Sequence, residues 1–308
     1  GVYQMVARAV TVGVFQLESS GMKSFMRELK PERLEDLIAG IALYRPGPMD
    51  FIPKYVAGKQ SPGQVRYTHP ALRPILEDTY GCIVYQEQVM QIVRDLAGYS
   101  LGRSDLVRRA MSKKKADVMA REREKFIYGD GEDVPGCVKN GIPAEQAAAI
   151  FDEMTDFAKY AFNKSHAACY AVVGYQTAWL KHHYPVEFMA ALMTSVLDNA
   201  DKVAGYMDVC KKMGLTVLPP DINESLGYFS VSGGSIRFGL AAVKNVGRGM
   251  IAALVAEREK NGPFTGITDL CSRMAGGEMN KRALESLILA GALDSLGGKR
   301  AQYMAVYK

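Results

Sequence analysis

The sequence predicts a mainly α-helical protein with a small β-hairpin element, followed by a helix-hairpin-helix module. Three observations indicate this fold. Apolar side chains recur at helical spacing through most of the chain before residue 213. Farther on, two apolar and aromatic runs flank a Gly-Gly turn, and a Gly-x-Gly turn then separates two helical runs. With 308 residues, the chain is long enough for two or more domains.

The helical segments carry recognisable start and stop signals. Ser165 is a predicted N-cap, and Pro185 ends the helix that follows it. In the segment after Pro143, five apolar residues fall on one helical face. These are Ile150, Phe151, Met154, Phe157 and Ala158. The other predicted helical ranges are 21–43, 86–112, 115–128, 186–197 and 201–213.

Two loops separate the helices of the first half. Tyr44–Pro53 contains three prolines, which forbid a continuous helix. Gly129–Pro143 is the second loop, and it ends where the helical pattern resumes.

The last third of the chain predicts a hairpin and then paired helices. GYFSVSGGSIRFGL is typical of a β-hairpin. LAAVKNVGRGMIAALVAER predicts a short helix, a turn at Val246–Gly249 and a longer helix. Such a turn lets backbone N–H groups bind a phosphate without sequence preference. A second copy turns at Leu289–Ala292 but lacks the second glycine, and an ordinary αα-hairpin stays open as the alternative.

Composition and absent motifs limit the function classes. The 48% apolar and 23% charged content is typical of a soluble globular protein, and no run of 18 apolar residues predicts a membrane span. The five cysteines are widely spaced, which favours reduced thiols. No Asp-x-Asp, Walker loop or HExxH occurs, so the sequence predicts no metal-bearing catalytic centre. Because the chain starts at Gly1 without Met, we expect a piece of a longer protein.

The octapeptide RRAMSKKK, residues 108–115, holds five positive charges and no acid. The whole chain has 38 Lys and Arg against 33 Asp and Glu, so the formal excess of +5 equals the charge of this octapeptide. Arg108, Arg109, Lys113, Lys114 and Lys115 have only one acid nearby in the sequence, at position 105. The pattern leaves open both an ordinary solvated face and a site for an anion.

Two further stretches are candidate anion or base sites. In FNKSH, Asn163, Lys164, Ser165 and His166 lie where a loop enters a helix, so backbone N–H groups there suit a phosphate. A plain helix cap with a partly buried histidine is the alternative. In YRPGP, Arg45 lies beside an aromatic ring on a stiff loop, which suits stacking on a base or binding a phosphate. The alternative is a proline-rich connector.

Seven sequence stretches identify a family by their residues and by their order along the chain. They are GVFQLESSGM, ALYRPGPM, YGCIVYQEQVMQI, DLVRRAMSKKK, FNKSHAACYAVVGYQTAWLKHHYPVEFMAALM, LPPDIN and GLAAVKNVGRG. Together they cover nearly the whole chain, which resembles the alpha (catalytic) subunits of bacterial DNA polymerase III. The resemblance implies the end of the palm in residues 1–17, the fingers in 18–230 and the start of the tandem helix-hairpin-helix region in 231–308.

The resemblance also assigns roles to individual residues. It implies that Arg108, Arg109 and Lys113 lie near the triphosphate of an incoming nucleotide. It places the FNKSH residues 163–166 near the sugar and phosphates of that nucleotide and Arg45 near the nascent base pair, which completes the nucleotide-binding set. The DNA-binding residues that it implies are Lys114, Lys244, Gly247, Arg248 and Gly249. The stretch GEDVPGCVK, longer than the family usually has, is expected to be a surface loop without a catalytic role.

The implied function is that of the fingers of a bacterial replicative DNA polymerase, a DNA-directed nucleotidyltransferase. Mg²⁺ would be held by palm carboxylates outside this chain, so the chain alone is predicted to be inactive. The implied partners are dNTP, primer-template DNA, the rest of the alpha subunit and the replicase holoenzyme, in the cytoplasm and without a membrane. The alternative is a non-catalytic DNA-binding helix-hairpin-helix module, or a helical scaffold.

Overall fold

The computed structural model describes residues 1–112, 116–158, 160–277 and 279–307. The chain divides into two compact units, which we call unit 1 (Gly1–Trp179) and unit 2 (Leu180–Lys308). This division reflects compactness, whereas the palm, fingers and hairpin ranges given above follow sequence motifs, so that assignment stays a prediction.

The regular elements among the described residues of unit 1 are α-helices, with short 3₁₀ helices and loops between them. Its helices are α1 (Val2–Ala7), α2 (Ser20–Leu29), α3 (Leu34–Leu43), α4 (Ile52–Gln60), α5 (Arg73–Leu76), α6 (Gln86–Ala97), α7 (Leu101–Ser112), α8 (Ala116–Tyr128), α9 (Ala144–Ala158) and α10 (Lys164–His183), the last of which continues into unit 2.

Two hydrophobic cores stabilise unit 1. One joins α5 to α9, where the buried rings of Phe126 and Phe151 lie 5.4 Å apart. Ile150, Met154 and Phe157 of α9 are buried in the same core, which confirms the predicted face for the residues whose side chains are described. The other core joins α1 to α4 with α10 and is centred on side chains such as Met26, Leu37 and Tyr55. Burial of such side chains contributes roughly 1.5–3 kcal/mol each.

Two of the predicted helices are each broken in two. The range 21–43 forms α2 and α3, because Lys30 adopts a left-handed conformation (φ 47°) directly before Pro31. A residue before proline is disfavoured in the helical region, and the proline cannot donate the next backbone bond. The range 86–112 forms α6 and α7, because Gly98 ends α6 at φ 80°. In both cases the apolar spacing continues across a local stop signal.

The loop 129–143 lies partly inside unit 1. Val134, Cys137 and Ile142 are buried in the core of α5–α9, so the expectation that GEDVPGCVK forms a surface loop is wrong for Val134 and Cys137. Backbone bonds anchor it, since Cys137 N donates to Phe126 O at 2.8 Å and Gly136 N donates to Ala97 O at 3.0 Å. Apolar side chains spaced irregularly along a loop give no periodic signal, so the sequence does not predict their burial.

Unit 2 combines helices with a small sheet. Its elements are α11 (Pro185–Thr194), α12 (Ala200–Lys212), β1 (Val217–Leu218), β2 (Ser230–Ser232), β3 (Ser235–Arg237), α13 (Arg248–Asn261), α14 (Ile267–Arg273), α15 (Lys281–Ala290) and α16 (Arg300–Val306).

The sheet has the strand order β1-β3-β2. The predicted hairpin is confirmed: β2 and β3 are antiparallel, with Ser230 opposite Arg237. Gly233 and Gly234 both have positive φ, as the turn between such strands requires. The parallel pairing of β1 with β3, Val217 with Ile236, was not predicted, because β1 has only two residues.

The last part of unit 2 is a helical region with its own core, which includes Leu254, Leu270 and Leu287. The short helix predicted before the first glycine turn is a 3₁₀ turn at Leu240–Ala242, and α13 follows the glycine turn. The second pair consists of α15, a 3₁₀ turn and α16. The prediction of a mainly α fold with a small hairpin and a helix-hairpin-helix region is confirmed. Among the described residues, every helix is too short or too polar to cross a bilayer.

Candidate functional site

Two helix N-termini of unit 1 lie side by side. Residues 84–87 run into α6, residues 160–164 run into α10, and backbone bonds join the two segments. Phe162 N donates to Val84 O at 3.2 Å, and Gln86 N donates to Phe162 O at 3.0 Å. We call these two segments the α6–α10 junction. Because a helix N-terminus carries a partial positive charge, the junction is an environment that favours anions.

Arg108 reaches the junction from α7. Its Nη1 donates to Gln86 Oε1 at 3.1 Å, while its Nε and Nη2 donate to Asp105 Oδ1 at 2.9 and 2.7 Å. Arg109 pairs with the other oxygen of Asp105 at 2.7 Å, and 63% of its side chain is exposed. The hydrogen bond from Arg108 lowers the pKa of Asp105. One carboxylate therefore pairs with both arginines. Lys113, Lys114 and Lys115 lie outside the described residues.

Asn163, rather than Ser165, caps α10. Its Oδ1 accepts a bond from His166 N at 2.8 Å, which makes the prediction of Ser165 as the N-cap wrong, since Ser165 is already helical. Asparagine at this position satisfies a backbone donor that the helix leaves unpaired. The FNKSH stretch does form the entry into a helix, as the sequence predicted.

A carboxylate of the chain lies on this helix N-terminus. Glu87 accepts bonds from Lys164 N at 3.1 and 3.0 Å and from Asn163 Nδ2 at 2.9 Å. The ammonium of Lys164 lies 5.3 Å from the ring centroid of Tyr85. The first backbone N–H of α10, which the sequence assigns to a phosphate, is thus bonded to Glu87.

A cavity of about 570 Å³ opens next to the junction and brings together Arg45 and His166. Phe162 belongs to both features, because its backbone forms the junction and its ring lines the cavity. The rings of His166 and Tyr170 lie 4.3 Å apart, and Tyr170 lies 5.4 Å from Phe15. An aromatic lining of this kind suits the stacking of a flat ring.

Arg45 is held firmly in that cavity. Its guanidinium lies 4.0 Å from the ring centroid of Phe162, its Nε donates to Ala42 O at 3.1 Å, and its Nη2 donates to Tyr160 O at 2.8 Å. Burial lowers the pKa of Arg45 from its usual value. The loop packs closely here, since a Cβ added to Gly47 would lie 2.4 Å from the ring of Tyr160. The arginine of the RPGP loop is therefore oriented by backbone carbonyls and by a ring.

The glycine turn of unit 2 is the second candidate site. Gly247 is the N-cap of α13, Arg248 is its first residue and Gly249 its second. All three are exposed, as is Lys244. Because Gly247 offers no side-chain cap, the start of α13 is open to a phosphate. Arg248 Nη2 lies 3.4 Å from Asp198 Oδ2, and both side chains are largely exposed, so the pair is weak.

Comparison with known proteins identifies the family. Residues 1–133 match the model of the bacterial DNA polymerase III alpha subunit finger domain, and residues 214–303 match a helix-hairpin-helix motif. The chain is 50% identical over 307 residues to DNA polymerase III subunit alpha of Pasteurella multocida. It is 50% identical to that of Thermus aquaticus over 308 residues and 48% identical to that of Escherichia coli K12 over 310. These alignments cover 97–98% of this chain.

The chain belongs to the DNA polymerase III alpha subunit family. It spans about a quarter of the length of these relatives, 25–26% of each. Within this part of the alpha subunit, the finger domain and the helix-hairpin-helix region that the sequence predicted are both present. The resemblance stated from the seven stretches is confirmed.

The fold of this alpha-subunit region brings together many of the predicted site residues. Arg108, Asn163 and Lys164 meet at the α6–α10 junction, and Arg45 and His166 meet in the cavity beside it. Sequence reasoning missed Gln86 and Glu87, which bond to these residues at the junction, and Phe15 and Tyr170, which line the cavity. Gln86 and Glu87 are polar residues that follow an apolar run in YGCIVYQEQVMQI, but their partners at the entry to α10 lie 75 and 76 residues away along the chain.

Proposed function

We propose that unit 1 binds the triphosphate of an incoming dNTP at the α6–α10 junction during template-directed DNA synthesis. The observation that carries this proposal is the convergence of Arg108 and the Asn163–Lys164 start of α10 on one pair of helix N-termini. A nucleotide whose phosphates lie at the junction would have the aromatic cavity next to it for its base or sugar. Arg45 and His166 line that cavity.

Arg108 is the side chain best placed to act on a phosphate. Phosphoryl transfer needs positive groups that neutralise the charge developing on the transferred group and on the pyrophosphate. The guanidinium of Arg108 presents two donors to Asp105 Oδ1, and a phosphate oxygen can replace that carboxylate oxygen with the same geometry. Arg109, Lys113 and Ser165 complete the proposed nucleotide-binding set.

The DNA would lie on unit 2. We assign phosphate contacts of primer-template DNA to Lys244, Gly247, Arg248 and Gly249, with Lys114 as a further contact from the octapeptide. Backbone N–H groups at the start of α13 would bind phosphate oxygens without reading the bases. The rest of the alpha subunit and the replicase holoenzyme are the proposed partners, and the cytoplasm is the proposed location.

Mg²⁺ is assigned to residues outside this chain. The described ranges 1–112, 116–158, 160–277 and 279–307 contain no group of three or more His, Cys, Asp or Glu residues that could hold a metal ion. In this proposal the chain contributes phosphate binding, and the metal ligands of the nucleotidyl transfer lie outside it.

Arg108→Ala tests the proposed function. In a full-length alpha subunit that carries these residues, kcat/KM for dNTP incorporation is expected to fall about 10²-fold or more, because one electrostatic stabiliser of the transferred group is removed. Single-nucleotide primer extension over a range of dNTP concentrations measures this change.

A matched variant and the isolated chain serve as controls. Arg94→Ala removes an arginine of α6 that is paired with Asp95, and kcat/KM should stay close to that of the parent. The chain by itself should extend no primer. An unchanged kcat/KM in the Arg108→Ala subunit would contradict the assignment of the triphosphate to this junction.

A further inference from the structure

Three consecutive polar residues form the first turn of α6, and each bonds to a different part of unit 1. Gln88 serves the helix itself, since its Oε1 accepts from Val84 N at 2.8 Å and from Tyr85 N at 3.0 Å. Gln86 and Glu87 point elsewhere, and both contact residues of the proposed nucleotide site. The first turn of α6 therefore caps its own helix and also bonds to residues of α7 and α10.

Gln86 links Arg108 to the entry of α10. Its Oε1 accepts from Arg108 Nη1 at 3.1 Å, and its Nε2 donates to Ala161 O at 3.1 Å. The amide uses its acceptor on one side and its donor on the other, so it holds the guanidinium of α7 at a fixed distance from residues 161–164. Asp105, which belongs to the same helix as Arg108, cannot set that distance.

Glu87 fixes the other half of the site. Its carboxylate bonds to Lys164 N and to Asn163 Nδ2, and it lies at the positive end of the helix dipole of α10. These bonds tie the start of α10 to the first turn of α6. Gln86 and Glu87 are neighbours on that turn. The first turn of α6 therefore holds both Arg108 and the Asn163–Lys164 pair by hydrogen bonds.

We propose that Gln86 and Glu87 are positioning residues, which set Arg108 and the Asn163–Lys164 start of α10 at the separation that one triphosphate can span. This inference rests on the proposed function of the junction. Neither residue needs to touch the nucleotide, because each acts through a group that does. Holding two phosphate-binding groups in place before the ligand arrives removes an ordering cost from binding.

Because Glu87 is negatively charged, the two possible roles predict opposite changes in triphosphate affinity when it is replaced. At the junction, Arg108, Arg109 and Lys164 stand against Asp105 and Glu87. If Glu87 only competed with a phosphate for the start of α10, removal of its charge would tighten the binding of a triphosphate. If it positions α10, Glu87→Ala weakens binding, whereas Glu87→Gln, whose amide oxygen still accepts a hydrogen bond, retains most of it.

The experiment compares steady-state kinetics of a full-length alpha subunit with variants at both positions. Glu87→Ala and Gln86→Ala are each expected to raise KM for dNTP about 10-fold, with a smaller effect on kcat. A 10-fold change corresponds to about 1.4 kcal/mol, which lies within the range by which residues of one hydrogen-bond network couple. Glu87→Gln should restore KM to within about 3-fold of the parent. In an Arg108→Ala background, Gln86→Ala should add little, because its partner is already missing.

Controls separate positioning from loss of folding. Glu77→Gln makes the same charge change in an exposed pair with Arg73 and should leave KM unchanged. Melting curves show whether each variant is folded, and the Glu87→Gln variant, with its milder change, keeps the test open if Glu87→Ala does not fold. Gln86→Glu gives a second test, because it keeps the acceptor for Arg108 and loses the donor to Ala161 O.

Two results would overturn the inference. A fall in KM for both Glu87 variants would show that Glu87 is a competitor of the phosphate. An unchanged KM in folded Gln86→Ala and Glu87→Ala, together with a strong effect of Arg108→Ala, would remove the positioning role and leave the proposed function intact. If Arg108→Ala also has no effect, the proposed function itself is wrong.

Discussion

At the residue scale, Asp105 and Asp130 are carboxylates that each bond to several partners in unit 1. Asp105 is shared by Arg108 and Arg109, so the arginine pair presents less free positive charge than its sequence indicates. Asp130 likewise bonds to several groups, in the loop 129–143. Its Oδ1 accepts from Glu132 N and from Val134 N, and its Oδ2 pairs with Arg103 at 2.9 Å. These bonds lower the pKa of Asp130 to about 2.

The lowered pKa predicts how Asp130→Asn changes stability with pH. Because the folded pKa lies below the unfolded value of about 3.9, the ionised carboxylate stabilises the fold above that value, and the contribution is lost as pH falls towards 2. The variant should therefore be less stable than the parent at pH 7, and the gap should shrink below about pH 4. Urea unfolding from pH 7 to pH 3 measures it.

Asp133→Asn, an exposed change in the same loop, is the matched control and should change the free energy of unfolding little. A stability gap for Asp130→Asn that stays constant over the whole pH range would show that the charge of Asp130 has no part in stabilising the fold.

At the scale of the element, α6 has different tasks at its two ends. Its first turn forms the junction with α10, and its last turn is closed by Gly98 at φ 80°. Gly136 N donates to Ala97 O at 3.0 Å, so the loop 129–143 is fastened to that closed end. The helix therefore connects the candidate site with the anchored loop.

Gly98→Ala tests the closed end of α6. A Cβ at this position would lie 2.7 Å from Cδ of Pro135, and the backbone would keep a left-handed φ. The two costs together should lower the free energy of unfolding by about 2–4 kcal/mol. Urea denaturation measures this loss.

Gly141→Ala separates the two causes, because Gly141 has φ 84° but nothing within 4 Å of an added Cβ. It should cost only the backbone strain, about 1 kcal/mol. Equal losses in the two variants would mean that the contact with Pro135 relaxes freely.

At the scale of the whole molecule, positive charge is available at the candidate sites of both units. Arg108 and Lys164 carry it in unit 1, and Lys244 and Arg248 carry it in unit 2. The formal excess of +5 favours an anionic partner such as DNA, whose affinity falls as salt is added.

DNA binding by this chain is therefore expected to depend on salt and not on sequence. Arg248→Ala should weaken binding to unrelated duplexes about equally and reduce the slope of log K against log salt by about 1, because one phosphate contact is lost. Fluorescence anisotropy with two labelled duplexes at several salt concentrations gives both quantities.

Lys212→Ala, an exposed change at the end of α12, is the charge-matched control and should leave the slope close to that of the parent. If the chain binds no duplex even at low salt, the helical scaffold is the better description of unit 2.

Local sequence signals predicted a large part of this fold. The face of α9 and the Gly-Gly hairpin each depend on neighbouring residues, and each is present. The predicted loop Tyr44–Pro53 is only partly a loop, because a 3₁₀ helix covers Pro48–Phe51 and α4 begins at Ile52. The missed breaks at Lys30 and Gly98 were also local, but the apolar spacing on either side outweighed the stop signals. The second strand partner of β3 was missed because two residues carry no periodic pattern.

For the candidate site, the sequence predicted some of the residues and missed others. Motif and charge were enough to identify Arg108, the Asn163–Lys164 pair and Arg45 as candidate binding residues. The packing of the helices, which the sequence does not show, adds Gln86 and Glu87 to the site and places Glu87 on the start of α10. The cause is sequence distance. Helical periodicity is set within a few residues, whereas a hydrogen bond between residues 76 positions apart depends on how two helices pack.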